Sequence, residues 1–149
     1  MRRVTQLSPD EIETVVDEVV KKQHGLLSNV NVSRVSAVWR KMVQAKVGVA
    51  FSAELKGGYP LGFLLALFTP DAITGESFAI QYLWMVSPEF RNSGTALDLL
   101  KAFEDEARAR GCVRILTGSN QVSKPDAMRR LFRRLGYAPF SEAFSKELK

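Results

Sequence analysis

The segment Val86-Ser87-Pro88-Glu89-Phe90-Arg91-Asn92-Ser93-Gly94-Thr95-Ala96 gathers the residue types from which an anion-binding turn is made. A strand-like run passes through a short polar loop into a helical pattern. Successive backbone amides at such a helix start point outward, the positive end of the helix dipole lies behind them, and a glycine lets a phosphate approach the backbone closely. The same residues also serve a plain strand-to-helix turn, so the spacing by itself leaves both readings open. Other reactive side chains are few. His24, beside Gly25, reads as the close of a helix or as a general base. Cys112 directly follows Gly111 and reads as a small buried hydrophobe opening a strand. With one cysteine and one histidine in the chain, internal disulfides and a multi-histidine metal site are excluded, and no metal is expected.

The elements that must hold this segment can be read from periodicity. Ser8-Pro9-Asp10-Glu11 forms a capping box, and Ile12, Val15, Val16, Val19 and Val20 recur at helical spacing towards a stop at Gly25. Arg3 to Leu7 predicts a short strand before it. Val32, Val35, Val38, Trp39, Met42 and Val43 draw a second helical face, capped by Asn29 or Asn31. Val47 to Leu55 is β-branched and aromatic and ends at Lys56-Gly57-Gly58, a strand entering a hairpin. Tyr59 to Thr69 is nearly continuously apolar, as a strand buried on both faces should be, and Phe78 to Val86 is a third strand of the same meander. From Gly94 the helical period returns, with Leu97, Leu100, Phe103 and Ala107 inward, Glu104 to Arg108 and Glu106 to Arg110 as four-apart pairs, and Gly111 as the stop. Val113 to Thr117 predicts a strand, Asp126 to Leu135 a basic helix, and Ala138 to Leu148 a last strand or hairpin. The order predicts an α/β (α+β) fold, a mixed, mainly antiparallel central sheet flanked by about four helices, within one domain over residues 1–149.

Composition bounds the partners. The 149 residues are 46% hydrophobic and carry a net charge of +5, a mild bias towards anionic small molecules or acidic surfaces. The longest apolar run, Leu61 to Phe68, falls well short of the roughly 20 residues of a membrane helix. Thr5 and Gln6 interrupt the start where a signal peptide would be apolar, so a cytoplasmic location is expected. Arg129, Arg130, Arg133 and Arg134 on the last helix read as a solvated face first, and as a phosphate clasp or a nucleic-acid contact after that. The aromatic interleaving of a single-strand reader is sparse, so nucleic acid is not the expected partner.

Arg91-x-x-Gly94-x-Ala96, following a strand that ends in Val-x-Pro, resembles the acyl-CoA pyrophosphate loop of the GNAT acetyltransferase superfamily. The order of elements and the closing Leu135-Gly136-Tyr137 resemble that fold over nearly the whole chain. The resemblance implies that the amides of Asn92, Ser93, Gly94, Thr95 and Ala96 cradle the diphosphate of acetyl-CoA or another acyl-CoA, with Arg91 beside them. It implies that Trp84, Met85 and Val86 hydrogen-bond the pantetheine arm, that the Val86 amide polarises the thioester carbonyl, and that Asn120 contacts the cofactor, although Asn in a Gly-Ser-Asn loop also reads as a turn former. The departures are as informative. Where many relatives carry a Tyr that protonates the leaving thiolate stands Phe132, which has no proton to give. Where relatives often carry a strand Glu, Ala79 to Trp84 offers no carboxylate, only Gln81 and Tyr82, the latter reading first as an aromatic packed under a helix.

These residues support an acyl-CoA-dependent N-acetyltransferase acting by direct attack of a neutral amine, since proximity and carbonyl polarisation dominate such chemistry. The partners implied are the acyl-CoA and an amine-bearing acceptor, whether small molecule, protein or tRNA-linked. The missing Tyr and Glu favour the alternative, a catalytically weak or inactive member of that fold binding acyl-CoA or a protein. Relatives often dimerise, and an exposed last strand would permit a homodimer.

Overall fold

The computed structural model describes residues 2–118 and 125–148. Residues 1–117 and 118–149 form two compact units. In the first, the order is β1 (Arg2–Gln6), α1 (Ile12–Val20), α2 (Val32–Gln44), β2 (Gly48–Leu55), β3 (Tyr59–Pro70), β4 (Ser77–Val86), α3 (Thr95–Ala109) and β5 (Arg114–Leu116). The second holds α4 (Pro125–Arg134). The five strands form one sheet in sequence order, antiparallel from β1 to β4 and parallel between β4 and β5, the mixed sheet that the meander followed by a β-α-β unit predicts.

The sheet is covered on both faces, and β3 explains why its sequence is apolar throughout. Phe63 and Leu65 point into a core built with Ile12, Val15, Val16 and Val19 of α1 and Trp39 of α2. Phe68, on the opposite face by strand alternation, meets Phe103 of α3 with ring centroids 6.5 Å apart. Two positions assigned inward prove exposed, Val38 and Leu97, each lying just beyond the edge of its helix's buried stripe.

Local chemistry starts the early helices as expected. Ser8 is followed by a short 3-10 turn, Pro9–Glu11, that runs into α1, and the Ser8 amide donates to the Glu11 carboxylate at 2.9 Å. That backbone bond holds the Glu11 carboxyl below its ordinary range. Asn31 is the cap of α2, its side chain accepting from the Arg34 amide at 3.0 Å. Ser8→Ala removes the reciprocal half of the capping box and is expected to lower stability by about 1 kcal/mol, read as a shift of the urea midpoint at unchanged slope.

Two expectations need correction. Helix α1 stops at Val20, before Gly25; residues 21–24 leave the helix, so His24 is extended and exposed and closes no helix. Ala138 to Leu148 forms no strand. Pro139 lacks an amide donor, and Phe140, Phe144 and Leu148 recur every fourth residue, so the alternation a half-buried strand requires is missing. The strand-edge route to a homodimer loses its strand. Among the described residues no helix is long and apolar enough to cross a membrane.

Candidate active site

The site is built where β4 ends. Its pairing with β5 covers only Phe78, Ala79 and Ile80, so among the described residues β4 has no strand on that side from Gln81 onward. On its other side β4 stays paired with β3 up to Gly62↔Val86, and the Ser87 amide donates to the Leu61 carbonyl at 2.8 Å. That bond fixes the phase of the ladder. Residues 87 and 85 exchange their hydrogen bonds with β3, and the intervening Val86 and Trp84 turn their amide and carbonyl groups to the edge away from β3. Of the three residues expected to present backbone there, Met85 is therefore excluded: its polar groups belong to β3, and its side chain lies in the core.

A β-bulge sets this phase. Leu65 pairs with Leu83 while Ala66 pairs with Gln81, leaving Tyr82 as the extra residue. The bulge places Tyr82 on the face of α1 and α2, where its ring lies 5.9 Å from that of Trp39 and remains 58% exposed. Tyr82 is thus accessible beside a helix and not packed under it. Gln81 shares a face with Ala79, opposite Phe68, on the α3 side; its Oε1 accepts from the Thr117 hydroxyl at 2.9 Å. The structure does not bring Gln81 and Tyr82 together. Gly62 is needed opposite Val86, because a Cβ there would come within 2.7 Å of the Met85 carbonyl oxygen and 3.1 Å of the Val86 Cα.

Beyond Val86 the chain makes a 3-10 turn, Pro88–Phe90, then Arg91 to Gly94, and enters α3. Asn92 has φ +69° and Gly94 φ +87°, both left-handed, and the amides of α3 before Asp98, whose amide makes the first bond back to the Gly94 carbonyl, have no intrahelical acceptor and face outward from the helix start. Ser93 and Thr95 hold the turn through their hydroxyls, 2.7 Å apart, with Thr95 buried and Asn92 and Ser93 exposed. A basic side chain lies on each side. Arg91 Nη2 donates to Gln23 Oε1 at 2.6 Å. Arg2 Nε donates to Asp98 Oδ2 at 2.6 Å, and its Nη2 lies 2.6 Å from where a Cβ on Gly94 would stand.

Sequence reading missed Arg2 and Gln23. No local signal marks Arg2, which meets Asp98 from 96 positions away. Gln23 was legible: it follows Val16, Val19 and Val20 at helical spacing, a polar residue on an apolar stripe, and it is 3% exposed.

The remaining candidates lie elsewhere. Asn120 falls outside the described residues. Phe132, in the carboxy-terminal unit, packs against Tyr137 with centroids 5.5 Å apart and the rings tilted by 57°. The four arginines of α4 are exposed, with Arg129 paired to Asp126 at 2.7 Å. Burial pushes the Cys112 thiol up, against activation as a nucleophile. Among the described residues no cluster of His, Cys, Asp and Glu could hold a metal ion.

Residues 30–137 match the profile of the acetyltransferase (GNAT) family. No curated protein sequence matches. Among solved structures, a ribosomal-protein-alanine N-acetyltransferase from Brucella melitensis biovar Abortus 2308 superimposes with a TM-score of 0.76 at 16% identity, over 100% of each chain. An aminoglycoside acetyltransferase from an uncultured soil metagenomic sample gives 0.78 at 21% identity, over 100% of this chain and 99% of that one. An aminoglycoside N-acetyltransferase in complex with CoA gives 0.78 at 18% identity, over 100% of this chain and 95% of that one. At these identities the likenesses establish a shared fold.

Proposed function

The chain belongs to the acetyltransferase (GNAT) family, and on that premise we propose that residues 1–149 act as one cytoplasmic acyltransferase domain that moves an acetyl group from acetyl-CoA to an amine. The observation carrying this reading is the continuity of two features: a strand edge with no strand paired to it past Ile80 among the described residues, toward which the Val86 amide points, and a turn of outward amides at the start of α3. A pantetheine arm needs the first, since its amides pair like a strand. A diphosphate needs the second. The CoA complex of a structural neighbour supports the same assignment.

Each group then has a role. The amides of Asn92 to Ala96 hold the diphosphate, with Arg91 and Arg2 as flanking cations. The Trp84 backbone aligns the pantetheine arm. The Val86 amide, bonded to no strand among the described residues, donates to the thioester carbonyl and stabilises the negative charge that develops on its oxygen as the amine attacks. The C–S bond breaks, the amine loses a proton, and the thiolate gains one. With Phe132 unable to donate and Gln81 held by Thr117 on the opposite face, the proton transfers fall to water and Tyr82. The acceptor is an amine that reaches Tyr82 from the α1 and α2 side.

Calorimetric titration with acetyl-CoA, followed by a free-thiol assay over a panel of amines, tests the proposal. Micromolar binding with thiol release is expected. Binding without release from any amine would make the chain an acyl-CoA-binding module, and no binding would remove the cofactor assignment.

A further inference from the structure

Gln23 is the most thoroughly bonded buried polar side chain near the site. Its Nε2 donates to the Val19 carbonyl and to the Val86 carbonyl, both at 3.1 Å, and its Oε1 accepts from Arg91 Nη2 at 2.6 Å. The Val19 carbonyl, in the last turn of α1, also accepts from the Lys22 amide at 3.3 Å, so the Gln23 bond to it is a supplementary one that any helix-capping side chain could make. The other two link elements with no neighbouring sequence, the end of β4 and the turn before α3. A carboxamide is the side chain that suits this position, because two carbonyls require donors and a guanidinium requires an acceptor. Glutamate could serve the arginine alone, lysine the carbonyls alone, and an apolar residue neither.

The location gives the contact its consequence. Within a strand the amide and carbonyl of one residue point the same way. The Val86 carbonyl taken by Gln23 therefore lies on the same open edge as the Val86 amide. Gln23 thus occupies one of the edge's acceptors, pins the peptide adjoining the Val86 amide, and ties that peptide to the arginine beside the diphosphate turn.

We propose that Gln23 is a positioning residue: it fixes the Val86 amide and the Arg91 guanidinium in one hydrogen-bonded unit, so that the donor to the thioester carbonyl and the cation beside the diphosphate keep a set separation. This rests on the acyl-CoA reading of the site. Groups that recognise the two ends of one long ligand must be held in register, since small misplacement of a polarising donor costs much of its effect.

The test uses Gln23→Met, Gln23→Glu and Arg91→Met in the full chain. Folding is checked by circular dichroism, affinity by acetyl-CoA calorimetry, and the carbonyl by difference infrared spectroscopy of bound acetyl-CoA labelled with carbon-13 at the thioester carbonyl. In the wild type the carbonyl stretch is expected to move to lower frequency on binding. Gln23→Met should weaken binding about tenfold, as loss of a charge-assisted contact does, and diminish the shift. Gln23→Glu should keep Arg91 and the affinity while diminishing the shift, because a carboxylate cannot donate to Val86. Arg91→Met should weaken binding and leave the shift in place. A merely structural role for Gln23 would lower thermal stability without separating affinity from carbonyl frequency. Wild-type affinity and shift in both Gln23 variants would overturn the proposal while leaving the transferase reading standing; absence of acetyl-CoA binding by the wild type would overturn both. If Gln23→Met does not fold, the split between Gln23→Glu and Arg91→Met decides.

Discussion

Val86→Pro is expected to leave the fold in place and to lower the rate of thiol release about 100- to 1,000-fold, the loss associated with removing one oxyanion donor. Proline is the substitution that removes a backbone N–H, and in most strand positions that would also break the ladder. Here the phase of the β3 and β4 pairing leaves the Val86 amide on the open edge, so no sheet hydrogen bond is lost. Two controls sharpen the reading. Val86→Ala keeps the amide and should retain most of the rate. Met85→Pro removes an amide committed to β3 and should instead lower the melting temperature. Should Val86→Pro remain folded, bind acetyl-CoA and turn over like the wild type, the thioester carbonyl is polarised by some other group.

The parts of this site legible in the sequence were those made by neighbours in the chain. Ser8 with Glu11, and Asn92 with Gly94 before α3, act within a turn or two, so residue type and spacing marked them; at the start of α2 they narrowed the cap to Asn29 or Asn31, and the fold selects Asn31. The bulge at Tyr82 was not legible, because it exists only through the register of β4 against β3; a run such as Ile80-Gln81-Tyr82-Leu83 reads as plain alternation. That one inserted residue decides that Tyr82 faces the helices, that Gln81 does not, and that Val86 and not Met85 offers its amide. Arg2 was hidden by sequence distance. Gln23 carries a signal of its own, since a glutamine on the Val16, Val19, Val20 stripe is costly unless its polar atoms are paired, and its partners lie at the site.

Gly94→Glu is expected to weaken acetyl-CoA binding more than about 100-fold, or roughly 2.7 kcal/mol, and the local geometry explains why two effects add. With φ at +87°, position 94 lies where a side chain costs about 1–2 kcal/mol over glycine. A Cβ there first meets the mobile end of Arg2, 2.6 Å away, so the new side chain displaces or pairs with that guanidinium before it meets any ligand. Glutamate therefore brings a negative charge to the amides that would hold the diphosphate and draws Arg2 to itself, reversing the local potential at the positive end of α3. Gly94→Asn separates the contributions, because asparagine tolerates the left-handed region and carries no charge. It should reduce affinity tenfold or less, by about 1 kcal/mol. The glutamate penalty should also shrink as salt rises from low to physiological strength, since the charges at this turn are partly open to solvent. If the glutamate and asparagine variants bind alike at every salt concentration, strain and not charge controls the turn; if both bind like the wild type, the diphosphate lies elsewhere.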